Sequence, residues 1–385
     1  RNAQLGGKQC AGRHDEGIGG MKIAKVTASV HTFETVLPIV GKPAGDSVRV
    51  ICEVETTEGH VGIGMASRFL PHAVASAVVN HLGPAVIGMD PRDLERIHDR
   101  LHKIVSERGQ TLGVNMLALS CIDLALWDIA GKASGRTVAQ LLGGYSDHTE
   151  AYCTFGFGAF DRDQLVEVAR DLQVKGHRRF KMLVGVAKGG IREDAERVQH
   201  VRDALGPDTM LAIDANESLT LDEAMRLSKM VEDYDIAWFE DPVLRNDPRD
   251  LGLLRKRTTI PLSAGQMDGH SDRFRAFVEH DSIDIFMPNS LYNGGMTETR
   301  RVAHLAQIYN RPLSDAGGGG IFCLHHVAGF RNGTLSESHL GVDQVERQIF
   351  KSTPEVSDGR IAVPAAPGFG VELNREAMRE TLKTE

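Results

Sequence analysis

Three polar side chains recur at one interval. Asp214 closes the segment MLAID, Glu240 closes IAWFE and Gln266 closes PLSAGQ, each 26 residues after the last. That interval fits one β-strand, a returning helix and two short loops. Oxygen-bearing side chains at the ends of three successive parallel strands converge on a point, and such a point suits a hard divalent cation, Mg2+ above all. The competing reading is that acids at strand ends cap the helices that follow. Three at equal spacing, with Asn216 just beyond Asp214 and Asp241 beside Glu240, favour the metal. A divalent ion so placed can hold a substrate carboxylate and take up charge when the adjacent carbon loses its proton. Carbon acids of this kind are very weak, so a positioned base must accompany the ion.

The elements that would carry these residues are legible from about residue 150 onward. Strands are expected at 151–155, 179–184, 210–214, 236–240, 260–264, 283–287, 311–314 and 333–337, with helical stretches such as REDAERVQHVRDAL between them. Such alternation predicts a parallel α/β sheet, and this many units predict a closed barrel. An open doubly wound sheet is the competing architecture. The glycine fingerprint it often carries is missing, because Gly62-x-Gly64 lies in a hairpin-like segment and lacks a third glycine. In a barrel the C-terminal strand ends host chemistry, and Asp214, Glu240 and Gln266 fall at those ends.

Residues 1–20 are polar and glycine-rich, without the apolar run of a secretory signal, and are expected to be a weakly ordered leader. Residues 21–145 read as an α+β module: alternating strands as far as 67, then helices. Residues 146–345 are the barrel, and 346–385 are expected to fold back over the first module. The net charge of −8 and a pI near 6.1 offer no basic surface for nucleic acid. The five cysteines form no CxxC pair, which suggests free thiols in a reducing compartment, the cytoplasm. The longest apolar stretch, MLALSCIDLALWDIAG, contains Asp123 and Asp128 and reads as too short and too charged to span a bilayer.

Taken in order, ALSCIDLALWDIAGK, FKMLVG, LAIDAN, WFEDP, LSAGQ, MPNSLYNGGMTE and VPAAPGFGVEL resemble the mandelate racemase/muconate lactonizing enzyme family of the enolase superfamily, from about Met21 to residue 373. The resemblance implies a modified (β/α)7β TIM-type barrel with an α+β capping domain. It also implies Mg2+ on Asp214, Glu240 and Gln266, and loops 33–48 and 62–71 closing over a small-molecule carboxylate. The expected chemistry is proton abstraction next to that carboxylate, through an enediolate.

The chain departs from the family pattern where protons move. The usual Lys-x-Lys is Lys181-Met182-Leu183, so the second lysine is gone. Asn289 stands where an Asp or Lys is usual, and Ser314-Asp315-Ala316, followed by four glycines, stands where a His is usual. The remaining catalytic candidates are Lys181 (a base of lowered pKa or a carboxylate-binding cation), Asp315 (a base or a turn former) and Glu337 (a hydrogen-bond donor to the enediolate). Asn216, Asn289, Tyr292 and His339, with Lys42 and Arg68 from the capping loops, are the substrate-binding candidates. His325, His326 and Trp127 read as packing residues. An amide at Gln266 leaves two carboxylates against a divalent ion, which predicts weaker metal binding and easier approach of an anion. Dehydration of a sugar acid needs one base and one acid and is the first expectation. Racemisation or epimerisation, cycloisomerisation, or a non-catalytic carboxylate-binding role are the alternatives. Self-association into a homo-oligomer is expected of such a barrel.

Overall fold

Alternating apolar and polar residues lay out the N-terminal module as an antiparallel meander of β1 (Ile23–Val36), β2 (Pro43–Thr56) and β3 (Val61–Ala66). The computed structural model describes residues 20–41 and 43–382, so the expected leader, apart from Gly20, and Lys42 lie outside the described residues. Helices α1 (Pro71–Ala77), α2 (Gly83–Val86), α3 (Leu94–Val105), α4 (Val114–Ser134) and α5 (Val138–Leu142) complete the module. β3 lies directly on α4, and a Cβ at Gly62 or Gly64 would run into the carbonyl oxygens of Ala125 and Cys121. Close packing of strand on helix therefore explains that glycine pair.

The reading of the longest apolar stretch needs correction. α4 has 21 residues and is long and apolar enough to cross a membrane, yet 83% of its apolar window is buried inside the protein. Packing, not shortness, settles its place. Its acids are structural: Asp123 accepts from Thr297 N at 3.0 Å, and Asp128 from Ile63 N and Phe369 N at 2.9 Å.

The second part alternates β4 (His148–Phe155), α6 (Arg162–Val174), β5 (Arg179–Leu183), α7 (Ile191–Leu205), β6 (Met210–Asp214), α8 (Leu221–Met230), β7 (Ile236–Glu240), α9 (Pro248–Arg255), β8 (Leu262–Ala264), α10 (Ser271–Glu279), β9 (Ile285–Phe286), α11 (Met296–Ile308), α12 (Gly320–Gly329) and β10 (Leu335–His339). Asp161 with Gln164 and Thr220 with Glu223 form capping boxes that start α6 and α8. β4 to β9 are neighbours in chain order and parallel, and β10 pairs in parallel with β4.

The strand expected at 311–314 shrinks to a single bridging residue, Leu313, which links Phe286 to Gly333. Ser314 N donates to Phe286 O at 2.9 Å and Thr334 N to Leu313 O at 2.8 Å, which carries the ring round to β10. Prolines explain the shortening, since Pro261, Pro288 and Pro312 offer no N–H to a ladder beside β8, β9 and Leu313. The last expected strand, 333–337, lies two residues later, at Leu335–His339.

After β10 come α13 (Val342–Ile349) and the short strands β11 (Val356–Ser357) and β12 (Arg360–Ala362), with β12 antiparallel to the start of β4. α14 (Arg375–Thr381) then reaches the capping sheet, where His31 Nδ1 and Thr381 Oγ1 lie 3.1 Å apart. Cys52, Cys121, Cys153 and Cys323 are free and buried. Tyr152, Ala212, Trp238, Met287 and Ala316 form a separate apolar cluster contributed by the barrel strands and the turn at 316. It is the floor on which the polar residues rest.

Candidate active site

Lys181 of β5 sits within a ring of acids from three other strands. Its Nζ is 2.5 Å from Glu240 Oε1, 3.1 Å from Asp214 Oδ2 and 3.3 Å from Glu337 Oε1, with all four side chains at most 3% exposed. Nζ also lies 5.3 Å from the centroid of the Tyr152 ring. Trp238 Nε1 donates to Glu240 Oε2 at 3.1 Å, and Asn216 N to Asp214 Oδ1 at 2.8 Å. Burial alone would pull the Lys181 ammonium down. Asp214, Glu240 and Glu337 outweigh it and hold the group well above its ordinary pKa. The arrangement therefore speaks for a fixed cation and against a base of lowered pKa.

Asp214, Glu240 and Asp241 bring one oxygen each to within 4.8 Å of one another. Burial, with the neighbouring acids, pushes Glu240 and Asp241 well above the usual carboxylate range. An oxygen-only set from which a cation would relieve such repulsion fits Mg2+. Gln266 meets this group through nitrogen: its Nε2 donates to Asp241 Oδ2 and lies 3.4 Å from Asn216 Oδ1. A Cβ at Gly317 would stand 2.5 Å from Gln266 Oε1. The third acid beside Asp214 and Glu240 is thus Asp241, held by Asn246 Nδ2 at 2.7 Å. Asn216, Asp241 and Asn246 have φ of +49°, +40° and +46°, left-handed conformations rare outside glycine and concentrated here at the mouth.

Two further acids adjoin with opposite tendencies. Glu337 accepts from Thr154 Oγ1 at 2.5 Å and from Gly318 N at 2.6 Å. Burial disfavours its charge, but Lys181 above all overrides that and lowers its pKa. Asp315 accepts the Glu337 N–H at 2.6 Å on Oδ1, its Oδ2 has no partner, and burial together with Glu337 pushes it well up. Where the sequence suggests that Glu337 donates a hydrogen bond, both its oxygens here accept from neighbours, and it is Asp315 whose charge burial disfavours.

The other candidates divide. Asn289 is committed: Nδ2 donates to Ala316 O at 2.8 Å and Oδ1 accepts from Leu291 N at 2.9 Å, so it anchors the glycine loop. His339 accepts from Gly341 N at 3.1 Å on Nδ1, which leaves Nε2 as its donor. Phe69 of the capping domain touches the Tyr292 ring, with centroids 6.0 Å apart, and the Arg68 guanidinium lies 5.1 Å from the centroid of Phe69. Asn216 is exposed at the rim. His325 and Trp127 bond into the core, His325 to Phe369 O at 3.1 Å and Trp127 to Thr297 Oγ1 at 3.0 Å. Sequence reasoning gave no role to Tyr152 and Thr154, which lie in no motif, nor to Trp238 within WFEDP, and counted Asp241 as support for the metal site without naming it a ligand.

Comparison with known proteins agrees with this fold. The mandelate racemase/muconate lactonizing enzyme N-terminal domain model matches residues 26–143, and the enolase C-terminal domain-like model matches 164–377. The chain belongs to the mandelate racemase/muconate lactonizing enzyme family. It is an enzyme of the enolase superfamily. It is 30% identical over 387 residues to D-galactarolactone cycloisomerase of Agrobacterium fabrum, covering 94% of this chain and 98% of the relative. It is 28% identical over 340 residues to arabinonate dehydratase of Saccharolobus solfataricus, covering 86% and 90%. Among solved structures, L-talarate dehydratase of Polaromonas sp. JS666, complexed with Mg and L-glucarate, superimposes with a TM-score of 0.83 at 26% identity, covering 95% of this chain and 98% of that one.

Proposed function

We propose that this enzyme is a Mg2+-dependent dehydratase of a sugar acid. The observation that carries this reading is the Lys181 ammonium, gripped by carboxylates of three strands next to the oppositely tuned pair Glu337 and Asp315. Asp214, Glu240 and either Asp241 or a turned Gln266 amide would hold the cation, which when bound draws negative charge from the substrate carboxylate. Lys181 meets that same carboxylate from the β5 side. Glu337, ionised, takes the α-proton. Asp315 gives its proton to the hydroxyl on the next carbon as that C–O bond breaks, so water leaves and an enol remains, which becomes the 2-keto-3-deoxy acid. The Nε2–H of His339 and the Arg68 guanidinium bind substrate oxygens.

Support comes from the relatives, among them arabinonate dehydratase and the talarate dehydratase that holds glucarate with Mg. Cycloisomerisation is the second reading, favoured by the likeness to D-galactarolactone cycloisomerase. It shares the proton-removal step. The test is to incubate sugar acids with Mg2+ and assay for 2-keto acid, with EDTA and Asp214→Asn as controls. Metal-dependent keto acid from at least one substrate supports the reading. Mg2+-independent turnover, or consumption of acids without keto product, contradicts it.

A further inference from the structure

Two of the sequence's motifs meet in the fold. ALSCIDLALWDIAGK lies on α4 of the capping domain, and MPNSLYNGGMTE spans the loop from β9 into α11. Ser120, Asp123 and Trp127 fall three and four residues apart and so share one face of α4. Ser120 Oγ accepts from Gly294 N at 3.0 Å. Asp123 accepts from Thr297 N at 3.0 Å on Oδ2 and from Thr297 Oγ1 at 2.6 Å on Oδ1. His98 of α3 donates through Nε2 to Gly294 O at 3.2 Å. Ser120, Asp123 and Thr297 are all buried.

α11 has no side-chain cap of its own, its N-cap being Gly295. The start of a helix leaves its first N–H groups unsatisfied and carries partial positive charge. Asp123 supplies that cap from the other domain. Glycine is required for so close an approach: Gly295 has φ +96°, and a Cβ there would run into Asp123 Oδ2.

The capped loop leads on to the glycine loop of the site. Tyr292 N and Asn293 N donate to Asn289 O at 3.0 and 3.1 Å. Asn289 Nδ2 then donates to Ala316 O at 2.8 Å. Asp315 directly precedes, its carbonyl accepting from the Tyr152 hydroxyl at 2.5 Å and its carboxylate from Glu337 N at 2.6 Å. A chain of bonds thus runs from α4 through two loops to the backbone beside Asp315.

We propose that Asp123 and Ser120 are positioning residues for Asp315: the capping domain caps α11 in trans, which fixes the loop carrying Asn289 and, through it, the glycine loop. This rests on the reading of Asp315 as the acid given above. The competing role is plain docking of one domain on the other. Glu95 separates the two, because it joins α3 to Arg300 and Arg301 of α11 beyond the capped turn.

The test uses the full chain with Mg2+ and compares the parent, Asp123→Ala, Asp123→Asn, Ser120→Ala and Glu95→Ala. Amide hydrogen exchange is read over residues 313–320, where the N–H groups of Ser314, Asp315 and Gly318 are bonded in the parent. Exchange there is expected to be about tenfold faster in Asp123→Ala and Ser120→Ala and unchanged in Glu95→Ala. On a sugar acid, kcat should fall about 10–100-fold in Asp123→Ala with KM little changed, because a misplaced acid costs rate rather than binding. Asp123→Asn keeps an oxygen for the Thr297 N–H and recovers part of both. Unchanged exchange over 313–320 in both alanine variants overturns the proposal. So does an equal rise in Glu95→Ala, as docking alone would give, and so does faster exchange with unchanged kcat. If no acid is turned over, the dehydratase reading falls and hydrogen exchange alone decides this one. Should Asp123→Ala fail to fold, Ser120→Ala carries the comparison with the same outcomes.

Discussion

Lys181 places its Nζ 2.5 Å from Oε1 of Glu240, so the ammonium of β5 and the last carboxylate of β7 neutralise each other inside the barrel. The same ammonium serves Asp214 and Glu337. Removing it leaves buried acids facing one another. Lys181→Met is expected to cost about 3–5 kcal/mol of unfolding free energy in EDTA, as for other broken buried pairs. Mg2+ should restore part of that loss by pairing with Asp214 and Glu240. Urea unfolding with and without Mg2+ measures both, and a variant as stable as the parent in EDTA would contradict the assignment.

Gln266 donates to Asp241 and has its oxygen near Gly317. Gln266→Glu replaces that donor by a third negative charge. The variant is expected to bind Mg2+ about tenfold more tightly while melting lower without metal. Calorimetric titration beside thermal melts checks both signs. Equal affinities would remove the argument about charge at this position.

Burial, with Glu337 beside it, disfavours charge on Asp315, which is the acid of the proposed reaction. Asp315→Asn preserves an oxygen for the Glu337 N–H and removes the acid. The account predicts a fall of about 10²–10⁴-fold in kcat with KM little changed. A comparable rise in KM instead would make Asp315 a binding residue.

Glu346 links stability to pH. Its carboxyl titrates near about 7 in the fold because burial disfavours its charge, against about 4.3 in an unfolded chain. The folded state holds the proton more tightly, so this contribution is full below about pH 4.3 and is lost as pH rises toward 7, on the order of 3 kcal/mol in all. Glu346→Gln should flatten that slope and gain on the parent between pH 5 and about 8. His325 and His326, pulled down by burial to about 4 and about 3, act with the opposite sign as pH falls. The comparison is therefore variant against parent at each pH.

Gly317 has φ +71°, and a Cβ there would stand 2.5 Å from Gln266 Oε1 and 3.2 Å from Asn289 Nδ2. Gly317→Ala should leave the chain folded but displace Gln266, lowering kcat/KM about tenfold or more. Unchanged kinetics would show that the loop yields without cost.

The architecture was legible because it rests on periodicity. Alternating residues mark β1 to β3, and the repeat that places Asp214, Glu240 and Gln266 marks the barrel. Leu313 as a lone bridge was not legible, since an apolar residue beside a proline reads the same in a strand. Proton bookkeeping was not legible either. Whether Glu337 or Asp315 keeps its proton depends on which one Lys181 and the Gly318 N–H reach, and that is set by folding. The burial of Arg49 escaped because in SVRVICEVET it falls where alternation predicts a solvent-facing residue. In the fold it is nonetheless buried.

The central claim is a cation gripped at the barrel mouth. Crystals grown with Mn2+ in place of Mg2+ test it most directly, through the anomalous signal. The account predicts a single strong peak about 2.2 Å from carboxylate oxygens of Asp214 and Glu240, with Lys181 drawn off Glu240. No peak there, with Lys181 still bridging Asp214 and Glu240, would contradict it.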